Sequence, residues 1–156
     1  ECVGFYSPNC QSIQPKFQFS QRTTLGFGKV DVSLLWRFID SVKYEPQQFA
    51  DDLANAVAAG TNPNTGCPDP TGTDPNGCIV DPQFRKINAE HYFDLATRFN
   101  ITDNVTMTFT VQNLLDNQPK VVGNTIGTTA FNSGNVYPST YDALGRRYAV
   151  SAKLKF

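Results

Sequence analysis

The 156-residue chain carries a formal net charge of −1 and a mean hydropathy of −0.34. The charge balance exerts no pull toward nucleic acid or an anionic surface, and no apolar run approaches the length of a membrane-spanning helix. This excludes helical insertion only, because the strands of a membrane barrel are half polar and disappear in a hydropathy average.

In chain order, Glu1 stands where an initiator Met would, and no signal peptide precedes it, so a processed, excised or fragmentary chain is expected. Four cysteines form two close pairs, Cys2/Cys10 and Cys67/Cys78, flanked by Pro, Gly, Asn or Ser. Neither pair has a nearby His or the short spacing of a zinc knuckle, so two local disulfides are expected, each closing one loop. That chemistry belongs to an oxidising compartment.

Five segments alternate with a period of two, the signature of strands with unlike faces. In Lys16–Phe27, Phe17, Phe19, Thr23, Leu25 and Phe27 oppose Lys16, Gln18, Ser20, Arg22 and Thr24, with Gln21 interrupting the apolar row. In Val30–Ile39, Val30, Val32, Leu34, Trp36 and Phe38 oppose Asp31, Ser33, Leu35 and Arg37. The third segment, Ile87–Ile101, sets Phe93, Leu95, Thr97, Phe99 and Ile101 against Tyr92, Asp94, Ala96, Arg98 and Asn100. The fourth, Val105–Gln112, sets Val105, Met107, Phe109 and Val111 against three threonines and Gln112. The fifth, Arg147–Phe156, sets Tyr148, Val150, Ala152, Leu154 and Phe156 against Arg147, Ala149, Ser151, Lys153 and Lys155. All ten prolines lie outside these cores, as sheet hydrogen bonding demands.

The connections alternate in length. Gly28-Lys29 and Thr102-Asp103-Asn104 read as hairpin turns. Residues 40–86 and 113–146 form long tracts, and 1–15 precede the first strand. Within the first tract, Gln47–Ala59 has helical spacing and ends at Gly60, whereas Thr61–Pro82 is loop by composition. Short turns at one end and long loops at the other are the layout of an outer-membrane barrel. Twelve Phe and six Tyr against one Trp and one Met suit its aromatic girdles, with a β-sandwich core as the alternative. Five strands cannot close a bacterial barrel, in which the number is even and at least about eight. Open edges are not tolerated in lipid, so the chain is expected to be part of a larger barrel. The alternative is a soluble sheet whose apolar face is covered by the helix and loops.

Three stretches resemble the C-terminal end of TonB-dependent outer-membrane receptors, particularly those of alphaproteobacteria: residues 21–38, 92–119 and 135–156. The most specific elements are Asn113-Leu-Leu-Asp116, Tyr141-Asp-x-x-Gly-Arg-Arg147 and the terminal Phe156. The resemblance implies a transmembrane barrel of about 22 strands with an N-terminal plug, this chain being its last five. It implies the cell outer membrane of a Gram-negative bacterium and active transport of a scarce solute of the siderophore, vitamin, haem or oligosaccharide class. The implied partners are membrane lipid, the remaining barrel and plug, the TonB complex reached through absent N-terminal parts, and the barrel assembly machinery. Tyr148, Val150, Ala152, Leu154 and Phe156 would form the assembly signal, read by strand addition. Arg22, Asp31, Arg37, Asp94, Arg98, Lys153 and Lys155 would face the lumen and pack against the plug. The alternatives are a secreted disulfide-stapled binding module and a passive porin-like barrel.

Other chemistry is thin. Asp51, Asp52, Asp69, Asp74 and Asp81 fit no calcium loop and read as a solvated acidic tract. His91, the sole histidine, lacks a nucleophile or carboxylate constellation and reads as a rim residue near the long-loop end of its strand. Asn100 and Asn104 match a glycosylation sequon by chance. No catalytic, cofactor or metal residues are expected, and no nucleic-acid partner.

Overall fold

The computed structural model describes residues 2–60, 82–123 and 135–156. They are mostly β-strand with one α-helix and one short 3-10 turn, and they divide into two compact units, each with its own sheet.

The first unit comprises residues 1–16, 40–88 and 119–141. Three short strands, β1 (Phe5–Tyr6), β4 (Val42–Tyr44) and β5 (Lys86–Ile87), pair in the order β1-β4-β5. The β1–β4 pair is parallel and the β4–β5 pair antiparallel. Helix α1 (Pro46–Ala58) starts on a proline, whose missing N–H costs nothing at that position. The core is tyrosine-rich: Tyr6 meets Tyr44 and Tyr137 edge-on, at 5.7 and 6.1 Å between ring centres, over Val42, Ile87 and Val122. The Tyr44 hydroxyl donates to Asp52 on α1 at 3.0 Å, and the Tyr6 hydroxyl donates to the Phe84 carbonyl. Arg85 lies 4.4 Å over the Phe49 ring. A disulfide joins Cys2 to Cys10. Beside it, Ser7 donates to Glu45 at 2.6 Å and accepts from the Cys10 N–H at 3.0 Å. Closing so short a loop contributes about 2–3 kcal/mol by chain entropy. Cys67 and Cys78 lie outside the described residues.

The second unit comprises residues 17–39, 89–118 and 142–156. It is one antiparallel sheet in the order β2 (Gln18–Phe27), β3 (Val30–Ile39), β6 (Glu90–Thr102), β7 (Val105–Gln112), β8 (Arg147–Leu154). The sheet is open, not closed into a barrel, with β2 and β8 as its edges. The β2–β3 turn is Gly28-Lys29, with Gly28 at φ 63°. A positive φ there lets the turn follow the strands' twist, and glycine adopts it without strain.

The structure departs from the sequence reading at several boundaries. The first long strand starts at Gln18, not Lys16, and the last ends at Leu154. Thr102 is a strand residue paired with Val105. A register shift after Asn100 absorbs the extra residue, a β-bulge that leaves a two-residue turn. Ile87 does not open the third long strand. It is buried in the first unit on β5, and the long strand begins at Glu90. The tracts 1–15 and 40–86, where no strand is expected, contain β1, β4 and the start of β5, strands of two or three residues, too short to show periodicity.

Burial pushes the Tyr137 hydroxyl up to about 12 from 10.0, and burial raises Tyr6 and Tyr44 as well, Tyr44 further through the Asp52 carboxylate. These phenols ionise more easily in the unfolded chain. Their contribution to stability is complete below pH 10 and is lost as pH rises through 12 and beyond. Tyrosinate absorbance should therefore show a cooperative alkaline transition that coincides with loss of near-UV circular dichroism. Ionisation of all tyrosines by about pH 10 without unfolding would contradict a closed tyrosine cluster.

Candidate functional site

The five-stranded sheet keeps its faces distinct throughout. On the polar face, Asp31 sits opposite Arg98, Leu35 opposite Asp94, Arg37 opposite Tyr92, and Thr106 opposite Lys153. Arg22 is on the same face, opposite Leu35. Lys155 follows the end of β8, and its N–H bonds the Asn104 carbonyl at 2.9 Å. Arg98 grips Asp31 Oδ2 through Nε at 2.9 Å and Nη2 at 2.5 Å. With Arg98 more than half exposed, that pair is worth at most about 1 kcal/mol. Arg22 finds the Ser33 hydroxyl at 3.2 Å rather than a carboxylate.

At the end of the sheet away from the two tight turns the charges converge. Arg37 Nη2 lies 3.2 Å from Asp94 Oδ1 and 3.9 Å from Asp142 Oδ2, and Arg147 Nη2 lies 3.0 Å from the same Asp142 oxygen. The Asp142 side chain is only 5% exposed. The Arg37 guanidinium also stacks 5.2 Å over the Tyr92 ring. Two carboxylates and two guanidiniums thus balance, which lets the Asp142 carboxylate lie almost wholly out of water beside two partly exposed guanidiniums.

The loop motifs are built around this cluster. Asn113 turns the chain at φ 50°, fully buried. Its N–H donates to Asp94 Oδ1 at 2.9 Å, its Nδ2 donates to the Asn117 carbonyl, and its Oδ1 accepts the Asn117 N–H, both at 2.9 Å. Asn117 Nδ2 then donates to the His91 carbonyl at 2.6 Å, and the Leu114 N–H to that of Phe93 at 2.7 Å. The Asp116 carboxylate accepts the Arg146 N–H at 2.8 Å. Gly145 takes φ 71° where a Cβ would lie 2.6 Å from Gln118 Nε2 and 2.9 Å from Asp116 Oδ1. The stretch leaving β7 and the stretch entering β8 therefore interlock. Asp142, Arg147 and Asn113 are the members that the charge pattern alone does not single out, because their role depends on two loops meeting.

The other face carries an aromatic cluster at the same end. Phe19 stacks on Phe38 at 5.4 Å and meets Trp36 edge-on at 4.8 Å, with Phe17 against both phenylalanines. Trp36 stacks on Phe93 at 5.9 Å and on His91 at 5.8 Å. Farther from this cluster the face is uncovered: Leu25 is 56% exposed, Phe27 64%, Val150 63% and Leu154 58%. Tyr148 and Phe156 are also exposed, in line with Val150, Ala152 and Leu154.

The acids elsewhere are occupied locally. Asp51 accepts from Gln47, and Asp52 from Gln48 and Tyr44. Asp69, Asp74 and Asp81 lie outside the described residues. Cys2, Cys10 and Glu45 approach one another, but the disulfide already uses both sulfurs. No group in the polar cluster is presented as a nucleophile. Its carboxylates are held by guanidiniums and backbone N–H groups, which fixes chain paths.

Fold and site thus define a mostly β chain whose five-stranded antiparallel sheet has one charged and one apolar face. No protein-family model matches the sequence, and no curated protein matches it. Among solved structures it is similar to a ferric enterobactin receptor of Pseudomonas aeruginosa, a mutant in complex with enterobactin. The two share 14% identity with a TM-score of 0.48 over 88% of this chain, which spans 16% of that receptor chain.

Two substitutions test the interlock. Gly145→Ala should cost about 1–3 kcal/mol, from the positive φ and the close polar neighbours. A double-mutant cycle on Asp142 and Arg147 should return a coupling of about 1–3 kcal/mol. Both are read as denaturation midpoints, and a coupling near zero would mean the two side chains act independently.

Proposed function

We propose that the chain is outer-membrane barrel wall: the last five strands of a TonB-dependent receptor of the alphaproteobacterial type, with the remaining strands, plug and TonB box elsewhere in the protein. The observation that carries this reading is the apolar row along each long strand, exposed at Leu25, Phe27, Leu34, Ile101, Phe109, Val150 and Leu154, opposite a mostly polar row. A soluble sheet hides its apolar row, whereas a barrel turns it to lipid. The lengths agree. A ten-residue strand such as β2 spans about 34 Å. A tilt of about 40° brings its rise to roughly 26 Å, close to the apolar band of such barrels. Unpaired edges on β2 and β8 support the presence of neighbouring strands on either side.

In this reading the tight turns lie on the periplasmic side, and Cys2–Cys10 and an expected Cys67–Cys78 bond staple extracellular loops. Arg22, Asp31, Arg37, Asp94, Arg98, Lys153 and Lys155 face the lumen and the plug, and Arg147 and Asp142 join them. Tyr148, Val150, Ala152, Leu154 and Phe156 are the strand presented to the assembly machinery. The whole protein admits a scarce solute when the TonB complex pulls on the plug, and the chain itself is not a catalyst.

The test is electrophoretic mobility of membrane fractions with and without boiling. The protein should sediment with the outer membrane and run faster unboiled, and removal of Phe156 should reduce the folded band several-fold. A monodisperse, detergent-free 17.2 kDa species would overturn the barrel and favour a secreted binding module.

A further inference from the structure

His91 is the sole histidine of the chain and Trp36 the sole tryptophan, and they touch. The Trp36 indole Nε1–H donates to His91 Nδ1 at 3.1 Å, with the rings stacked 24° from parallel. An indole N–H can only donate, so Nδ1 must be the acceptor and the imidazole proton of the neutral ring must sit on Nε2. The ring is further held at 4.9 Å from Phe38, its cross-strand partner. Its backbone is pinned by the Asn117 bond to its carbonyl. His91 is exposed, and Nε2–H has no partner among the described residues. The result is a donor of fixed tautomer, standing on the apolar face within the aromatic cluster of Phe17, Phe19, Phe38 and Phe93.

A donor on that face is wasted against hydrocarbon. Aromatic clusters of this kind sit at the level of lipid headgroups, where the strongest acceptors are phosphate oxygens, and an N–H···phosphate bond is charge-assisted. We infer that Trp36 and His91 form a lipid-headgroup site in which His91 Nε2–H donates to a phosphate of a membrane lipid headgroup, with Trp36 as the positioning residue that fixes the tautomer. The inference rests on the barrel reading above and adds a defined lipid contact to it. Nothing on the polar face takes part. Glu90 interacts electrostatically with His91 but, one residue away on the strand, points to the opposite side.

The experiment is solid-state NMR of the full-length protein, ¹⁵N-labelled at histidine and reconstituted in phosphatidylcholine vesicles. It measures dephasing of the imidazole nitrogens by ³¹P. A dephased Nε2 signal that disappears in His91→Gln supports the site. Trp36→Phe should lose part of that dephasing while leaving the protein inserted, because the proton then divides between the two nitrogens. Unchanged dephasing in Trp36→Phe overturns the positioning role. Equal dephasing in maltoside micelles with inorganic phosphate assigns the site to free anion and overturns the lipid contact. Insertion with a heat-modifiable band but no dephasing overturns this inference alone, whereas failure to insert overturns the barrel reading with it.

Discussion

A strand has a side-chain period of two, so a slip of one residue in any pairing would exchange the whole charged row for the whole apolar one. Everything else in the second unit depends on that register. It is held at the tight-turn end by Gly28 and by the bulge after Asn100, which spends one residue to bring Thr102 opposite Val105. Near that same end, the Asp31–Arg98 pair marks the correct alignment of β3 on β6. Its free energy is small, yet any slip would point one of its partners into the apolar face, so its contribution is to specificity.

At the opposite end the alignment is held by the loops themselves. Asp94 and Asp142 gather Arg37 and Arg147, and the turns at Asn113, Asp116 and Gly145 take left-handed backbone so that amides and carboxylates can meet. Asp94 joins both systems, since one of its oxygens serves Arg37 and the Asn113 N–H together. This gives physical content to the two loop motifs: Asn113-Leu-Leu-Asp116 supplies the buried amide and the acceptor for Arg146, and Tyr141-Asp-x-x-Gly-Arg-Arg supplies the carboxylate, the close-packed glycine and the cation. The same strand end carries Trp36 and His91 on the reverse face, so one rigid edge orders polar contacts on one side and aromatic ones on the other.

The long strands were legible because ten alternating residues carry their own evidence of faces. From Val30 to Phe38 every second side chain is apolar, and Val105–Val111 and Tyr148–Phe156 repeat the pattern. The tyrosine-rich unit was not legible. Tyr6, Tyr44 and Tyr137 are distant in sequence and become a core only when β1, β4 and β5 come together, and a two-residue strand has no period to read. Ile87 shows the cost of extrapolating a pattern: it fits the apolar parity of the following strand yet is buried elsewhere. In the charged cluster, Arg37 and Asp94 could be placed on one face from parity alone. Asp142 could not, since it lies in a loop and reaches the cluster through tertiary approach. The Trp36–His91 bond was hidden for a related reason. Each residue was placeable on its strand, but their diagonal contact depends on the β3–β6 register.

The interlock between the exit of β7 and the entry of β8 has a further consequence for the segment between Gln118 and Asp142. Because Asp116 holds Arg146 and Asn113 holds Asn117, the two feet of that connection are fastened beside one another whatever happens above them. Lengthening a tether whose ends are already fixed costs only about 0.6 kcal/mol per doubling. The connection is therefore a socket. Added length between those feet should leave strand register, charged row and aromatic edge as they are.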